Sequence, residues 1–202
     1  MFLYELLILL AVVGMDIGSK YWVCDALGVV NHAQTVPDIT VIKNVLSFSY
    51  GENTGASWGL FQGKTTALTV VTAIGMALLF IYLLFNKKES KFLRVCLVMI
   101  LAGGLGNLYD RIVFGYVRDF IEFEFISFPT FNVADSFLTV ATVLVVVYAI
   151  FFLPKEIMKA QKAKAEADAI IPTVYPYDAL EGRDIISEAG FEPPAENGDE
   201  KL

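Results

Sequence analysis

The sequence predicts an all-α integral membrane protein with four transmembrane helices and a small β-rich segment outside the membrane. Of its 202 residues, 56% are hydrophobic and 18% are charged, whereas soluble domains carry about 25% charged residues. The apolar residues are concentrated in blocks long enough to cross a bilayer, which takes roughly 20 residues of helix. These blocks are residues 2–24, 65–85, 92–109 and 131–153.

The first block is predicted to be a retained helix and not a cleaved secretory signal peptide. It lacks the basic start of a signal peptide, carries Glu5 instead, and has no small-residue cleavage site. The bulky residues before Cys24 also fit a lipoprotein cleavage box poorly. We therefore expect this segment to remain in the protein as its first transmembrane helix.

The positions of lysine and arginine predict the orientation of the helices, because short cytoplasmic loops carry an excess of these residues. The link between the second and third helices is basic, and so is the segment after the fourth. The connections at 25–64 and 110–130 instead hold four basic residues against seven carboxylates. Both termini are therefore expected in the cytoplasm, with the two longer connections outside.

The segment 25–64, between the first and second helices, is too polar to span the membrane and predicts a β-rich cradle on its outer surface. Residues 41–42 are β-branched, and residues 46–50 alternate between apolar and polar side chains before Gly51. Such runs followed by turn residues are typical of short strands. A hairpin or small sheet is therefore expected here.

The chain is predicted to divide into a membrane domain, residues 1–154, and a cytoplasmic tail, residues 155–202. The tail should begin as a helix and continue as a disordered segment rich in proline and acidic residues. Residues 170–202 contribute −6 of the net charge of −7, so the acidic balance describes the tail and not the membrane domain. No basic patch of the kind that binds nucleic acid is present in the sequence.

Asp16 and Lys20 are charged residues in the outer half of the first helix. A charge at the bilayer centre costs about 2.5–3.5 kcal/mol on insertion scales, so each needs an explanation. They lie four residues apart and can pair on one helix face. Two interpretations remain open: an ion pair at the helix end with Lys20 reaching the membrane surface, or a pair that orders the outer loops around a site.

The third helix ends in a stripe of Gly103, Asn107 and Arg111, which recur every four residues. Glycine in this position permits close packing of helices in lipid. Asn107 and Arg111 direct an amide and a fixed cation at the same neighbour, so an acceptor is expected nearby. Asp110 points off this stripe and is expected to be structural.

Asp119 and Asp135 are the candidate catalytic pair. Asp119 lies between hydrophobic residues, and Asp135 lies about one turn inside the fourth helix, on the same face as Asn132. Two partly buried carboxylates that share a site share one proton. The ionised one can take a proton from water while the protonated one binds the scissile carbonyl. The single His32 leaves no metal site to expect, so no cofactor is predicted.

Two other classes of function stay open at this point. A small proton-coupled carrier would also place Asp and Lys residues inside the membrane, but the polar residues of this chain cluster at one face. A non-catalytic assembly factor would use the glycine stripe to bind partner helices. Neither alternative needs the two carboxylates to meet.

Several blocks of the sequence resemble the bacterial lipoprotein signal peptidase (signal peptidase II) family in order and spacing, over residues 2–153. The blocks are Asp16 with Lys20, and residues 53–56 (NTGA), 103–111 (GGLGNLYDR), 117–120 (VRDF) and 131–135 (FNVAD). The resemblance implies an aspartic endopeptidase of the bacterial cytoplasmic membrane, acting as a monomer at the outer face.

The resemblance also implies a substrate and roles for particular residues. The substrates would be diacylglyceryl-modified prolipoproteins embedded among membrane lipids, and the antibiotic globomycin would occupy the same site. The catalytic pair would be Asp119 and Asp135. The residues implied to position substrate or support the pair are Asn53, Gly55, Asn107, Arg111, Asn132, Asp16 and Lys20.

The sequence departs from the family pattern at two places. Residues 57–59 read Ser-Trp-Gly, where the family more often has Ala-Phe and a small residue. Trp58 is suited to the membrane interface and is expected to alter fit to lipid or substrate without changing the chemistry. The tail after Lys155 is longer than the family fold needs, and we expect it to be a solvated extension.

Overall fold

The computed structural model describes residues 1–31, 35–55 and 63–174. Within these ranges, four helices are long and apolar enough to cross a membrane, which confirms the predicted spans. They are α1 (Leu3–Ala26), α2 (Thr65–Phe85), α3 (Lys91–Val113) and α4 (Val133–Phe151). The chain separates into two compact units, Met1–Ile150 and Phe151–Leu202.

Several helix ends differ from the expected bounds by two residues or more, and two of them lie beside the predicted site. The third helix was expected to end near Tyr109 but continues to Val113. Asp110 can lie inside the helix because its carboxylate forms ion pairs within the protein. The fourth helix begins at Val133, two residues later than expected. Asn132 precedes it and accepts a hydrogen bond from the backbone N–H of Asp135, as an N-cap residue does.

Helix α3 lies at the centre of the membrane unit and is the most buried of these spans. Its glycines allow its neighbours to approach closely: a Cβ added at Gly103 would lie 2.7 Å from the backbone oxygen of Ala134 on α4. A Cβ at Gly106 would overlap the carboxylate of Asp16 on α1. These contacts agree with the predicted packing role of the glycines.

A sheet covers one end of the helices. In the described part of the chain it has three antiparallel strands in the order β1 (Ile39–Ile42), β2 (Leu46–Asn53) and β3 (Val117–Phe123). The hairpin of β1 and β2 was expected between the first two helices. Strand β3 was not, and it comes from the connection between α3 and α4. In the register of β2 and β3, Gly51 lies opposite Asp119.

The second unit contains helix α5 (Leu153–Val174), which includes the helix predicted at the start of the tail. Its described side chains are exposed, and Lys162 forms a solvent-exposed ion pair with Glu166 at 3.9 Å. The predicted disorder of the rest of the tail, and the departure around Trp58, lie outside the described residues.

Replacing Gly103 with alanine is expected to destabilise the membrane unit. The new Cβ would overlap the backbone of α4, which cannot shift without disturbing that helix. Overpacking of this kind lowers the free energy of unfolding by about 1–3 kcal/mol. Gly75→Ala on α2 is the matched control, because its Cβ meets nothing within 4 Å. In detergent, the thermal midpoint should fall by several degrees for Gly103→Ala and stay or rise for Gly75→Ala. Equal midpoints for the two variants would contradict the close contact.

Candidate active site

Asp119 lies on β3 with both carboxylate oxygens hydrogen-bonded. Its Oδ1 accepts from the Asn132 side-chain amide at 2.6 Å, and its Oδ2 accepts from the Asn53 amide at 3.0 Å. The residue is 2% exposed. Asn53 lies on β2, so the pairing of β2 with β3 brings together two residues that are 66 positions apart.

Asp135 occupies the first turn of α4. Its Oδ1 accepts from the Asn107 side-chain amide at 2.7 Å, and its Oδ2 accepts from the backbone N–H of Asn132 at 3.3 Å. Its own N–H donates in return to Asn132 Oδ1 at 2.9 Å. This reciprocal pair is a capping box, so the bonds that start α4 also fix the Asp135 carboxylate.

The amide of Asn107 is held in one orientation. Its Oδ1 accepts from Lys20 Nζ at 3.1 Å and from Asn132 Nδ2 at 3.1 Å. Because both of these groups are donors, the amide oxygen must face them and the amide nitrogen must face Asp135. Lys20 on α1 therefore acts on Asp135 through Asn107.

Lys20 and Asp16 are buried inside the protein. The ammonium lies 2.7 Å from Asp16 Oδ2 and 3.3 Å from Asp110 Oδ2, and all three side chains are fully buried. Asp16 Oδ1 accepts from the backbone N–H of Ala134 at 2.8 Å. The pair therefore joins α1 to the start of α4 and is not exposed at the protein surface.

Asp110 faces Arg118 instead of the candidate pair. Its Oδ1 accepts from Arg118 Nη2 at 2.8 Å, and its Oδ2 accepts from the Arg118 backbone N–H at 2.9 Å. The guanidinium lies over the rings of Tyr21 and Phe114. Asp110 thus ties the end of α3 to β3, as its expected structural role requires. Sequence reasoning gave Arg118 no part, although the β-branched and aromatic residues within 117–123 could have indicated the strand.

Arg111 projects into the same region from the last turn of α3. Its Nη2 donates to the Gly55 carbonyl at 3.1 Å, and the Gly55 N–H donates to Asn53 Oδ1 at 3.0 Å. Its guanidinium interacts electrostatically with Asp119 and Asp135. The buried Nε has no acceptor among the described residues, so it remains able to donate to a bound molecule.

A cavity of about 800 Å³ opens beside the two carboxylates. Asp119, Asp135, Asn53, Asn107 and Arg111 all line it. The structure therefore brings most of the residues predicted from the sequence to one cavity. Three of the predicted residues do not line the cavity but support the residues that do, through hydrogen bonds: Asp16, Lys20 and Asn132.

The environment of Asp119 favours its protonated form. Burial, followed by repulsion from the Asp135 carboxylate, raises the pKa of Asp119 to about 7. Hydrogen bonds from Asn53 and Asn132 act in the opposite direction, because they stabilise the ionised form. Burial and the second carboxylate prevail, so Asp119 gains or loses its proton near neutral pH.

The fold and the site define a multi-pass membrane protein with two carboxylates, Asp119 buried and Asp135 half-buried, facing one cavity. Comparison with known families agrees with this class. The model described as "Signal peptidase (SPase) II" matches residues 8–151. The chain belongs to the signal peptidase II family, and it is a protease of the aspartic type.

Individual relatives and a solved structure support the assignment. The chain is 34% identical to the lipoprotein signal peptidase of Clostridium acetobutylicum, over 72% of this chain and 93% of the relative. It is 37% identical to that of Clostridium tetani, over 72% and 92%. A bacterial membrane enzyme solved by the in meso method at 2.3 Å superposes with a TM-score of 0.65 at 30% identity, over 73% of this chain and 87% of that one.

Substituting Lys20 with methionine is expected to lower kcat more than it raises KM. The change keeps the length of the side chain but removes the donor that orients Asn107, and misplacement of a reacting group by about 1 Å can cost about 10²-fold in rate. Lys43→Met, at an exposed position after β1, is the control and should behave as wild type. A change confined to KM would argue against action through Asn107.

Proposed function

We propose that this protein removes signal peptides from diacylglyceryl-modified prolipoproteins, with Asp119 and Asp135 activating the attacking water. The observation that carries the proposal is the pair of carboxylates that faces one cavity while side-chain amides hold both. Family membership supports the substrate, because its relatives bear the name lipoprotein signal peptidase.

The two carboxylates share one proton in the resting site. The ionised member takes a proton from water, and the resulting hydroxide oxygen bonds to the scissile carbonyl carbon. The protonated member donates its hydrogen bond to the carbonyl oxygen as negative charge develops there. When the C–N bond breaks, a proton passes from the pair to the leaving amine, and the other product is a carboxylic acid. The pair thus begins and ends with one proton.

The neighbouring residues position the substrate in this proposal. Arg111 Nε, which lacks an acceptor among the described residues, donates to a carbonyl oxygen of the bound peptide. Asn53 and Asn107 keep the carboxylates in place through their amides. Because these groups are oriented before substrate arrives, they need no reorganisation during the reaction.

The proposed location is the cytoplasmic (inner) membrane of a bacterium, with the site at the outer face and the protein working as a monomer among lipids. The distribution of lysine and arginine supports this orientation, since the link between α2 and α3 is basic and joins the ends of these helices away from the sheet. The carrier and assembly-factor alternatives lose their support, because the chain belongs to a family of proteases.

Asp119→Asn and Asp135→Asn are each expected to abolish cleavage of a lipidated prolipoprotein. Loss of one acid–base group removes about 10²–10⁴-fold in rate, and the two residues act as a unit. Asp38→Asn, an exposed carboxylate just before β1, is the matched control and should cleave normally. Precursor and product are separated on a gel after incubation with each purified variant. Normal processing by either dyad variant would remove that residue from the mechanism.

The rate should fall as pH rises above about 7, the value to which the pKa of Asp119 is raised. Above this pH the pair loses the shared proton and can no longer donate to the carbonyl. Asn53→Ala removes a hydrogen bond that stabilises the ionised form of Asp119, so the pKa of Asp119 should rise further. The fall in rate at high pH, the alkaline limb of the pH–rate profile, should then move to higher pH.

The measurement is kcat/KM for a lipidated precursor across the pH range, with Asp38→Asn as the control for a general change in charge. A limb that moves to lower pH in Asn53→Ala would contradict the role of this hydrogen bond. The limb reports the pair as a whole, because its two groups titrate together.

A further inference from the structure

The cavity does not stop at the two carboxylates but continues along the helices. Besides the residues of the site, it is lined by Thr72 and Met76 on α2 and by Leu138 and Thr139 on α4. Gly104 on α3 lies at its wall. This deeper part, which we term the α2–α4 groove, is therefore bounded by those two helices and by α3.

The side chain of Met76 rests on Gly104. A Cβ at Gly104 would overlap Met76 Sδ and would lie 3.0 Å from its Cε and 3.2 Å from its Cγ. These three nearest atoms all belong to the one methionine side chain. Met76 is thus the residue that fills the space above the bare backbone of α3, and its unbranched side chain can adapt to an irregular gap.

The groove has a definite length. Thr139 lies one turn below Asp135, about 6 Å along α4, and Gly104 lies about 10 Å below Arg111 at 1.5 Å per residue. An extended peptide advances about 3.3 Å per residue. A peptide whose scissile bond lies at the carboxylates therefore extends about two or three residues into the groove.

We propose that the α2–α4 groove receives the signal-peptide residues directly before the cleaved bond, and that Met76, seated on Gly104, sets the size of side chain accepted there. Met76 is then a specificity-determining residue of the reaction. This proposal rests on the proposed function, since it takes a membrane-embedded signal peptide as the substrate.

The chemistry of the groove favours a peptide over an acyl chain. A signal helix must unwind at the scissile bond, and its freed N–H and C=O groups need partners in the absence of water. The groove offers the hydroxyls of Thr72 and Thr139, and Arg111 has an Nε without an acceptor in the described residues. An acyl chain has no polar group that would use these donors.

The groove is also accessible from the bilayer. Val140 on α4 lines the cavity and is 52% exposed, so one margin of the groove lies on the outer surface of the helices. A substrate held in the membrane by its own apolar helix can therefore reach the carboxylates by lateral movement.

The first test compares two diacylglyceryl-modified precursors that differ only in the third residue before the cleaved bond, leucine in one and phenylalanine in the other. Met76→Ala enlarges the groove and should raise the ratio of kcat/KM for the phenylalanine precursor to that for the leucine precursor by about tenfold or more. Leu78→Ala, on the exposed face of α2, is the matched control and should leave the ratio unchanged. An unchanged ratio in an active Met76→Ala variant would overturn the proposal.

The second test uses the contact between the two residues. Gly104→Ala should push the methionine side chain into the groove and lower cleavage of the phenylalanine precursor most. The double variant Gly104→Ala with Met76→Ala removes the overlap and should recover it. A double variant no better than Gly104→Ala alone would contradict the assignment.

Two further outcomes separate the subsite from the proposed function. If Met76→Ala alters the dependence on acyl-chain length while the side-chain ratio stays fixed, the groove holds lipid and the proposal fails. If the wild type cleaves neither lipidated precursor, the proposed function itself fails. Cleavage by the wild type with no change of ratio in Met76→Ala overturns the subsite alone.

Discussion

The buried ammonium of Lys20 is the interaction on which the rest of the site depends. A charge removed from water is very costly unless it is paired and hydrogen-bonded. Here its acceptors are Asp16 on its own helix and Asn107 and Asp110 on α3. Those contacts fix α1 against α3, and through Asp16 and the Ala134 N–H they also fix the start of α4. The same ammonium orients the amide that holds Asp135, so helix packing and site geometry follow from one charge.

At the start of α4, one residue likewise makes several of the contacts that hold the site. Asn132 caps the helix through its side-chain oxygen, and its side-chain nitrogen donates to Asp119 and to Asn107. The Asn132 backbone N–H also donates to the Asp135 carboxylate. Because one residue caps the helix and donates to both carboxylates, a shift of either carboxylate would disturb the start of α4. These hydrogen bonds join the two carboxylates, Asn107 and Asn132 into one polar network.

Close approach of the helices determines where the network forms. Gly103 and Gly106 let α4 and α1 approach the backbone of α3, which brings their polar side chains within hydrogen-bond distance of one another. The resulting burial raises the pKa of Asp119 to about 7. Between these two glycines, Gly104 accommodates the side chain of Met76 from α2. Glycines of α3 thus allow close helix contacts at the site and also accommodate Met76 at the wall of the cavity.

The sequence alone determined the membrane spans and the candidate carboxylates, because the cost of moving a residue into lipid depends mainly on that residue and its neighbours in the chain. It did not determine strand β3, the partner of Asn53, or whether Lys20 reached the surface or the interior. These depend on contacts between residues far apart in the sequence: Asn53 and Asp119 meet because two strands pair in one register. Local composition does not encode such a register. Tertiary packing therefore decided which polar residues meet at the site, and it placed Met76 against Gly104 beside them.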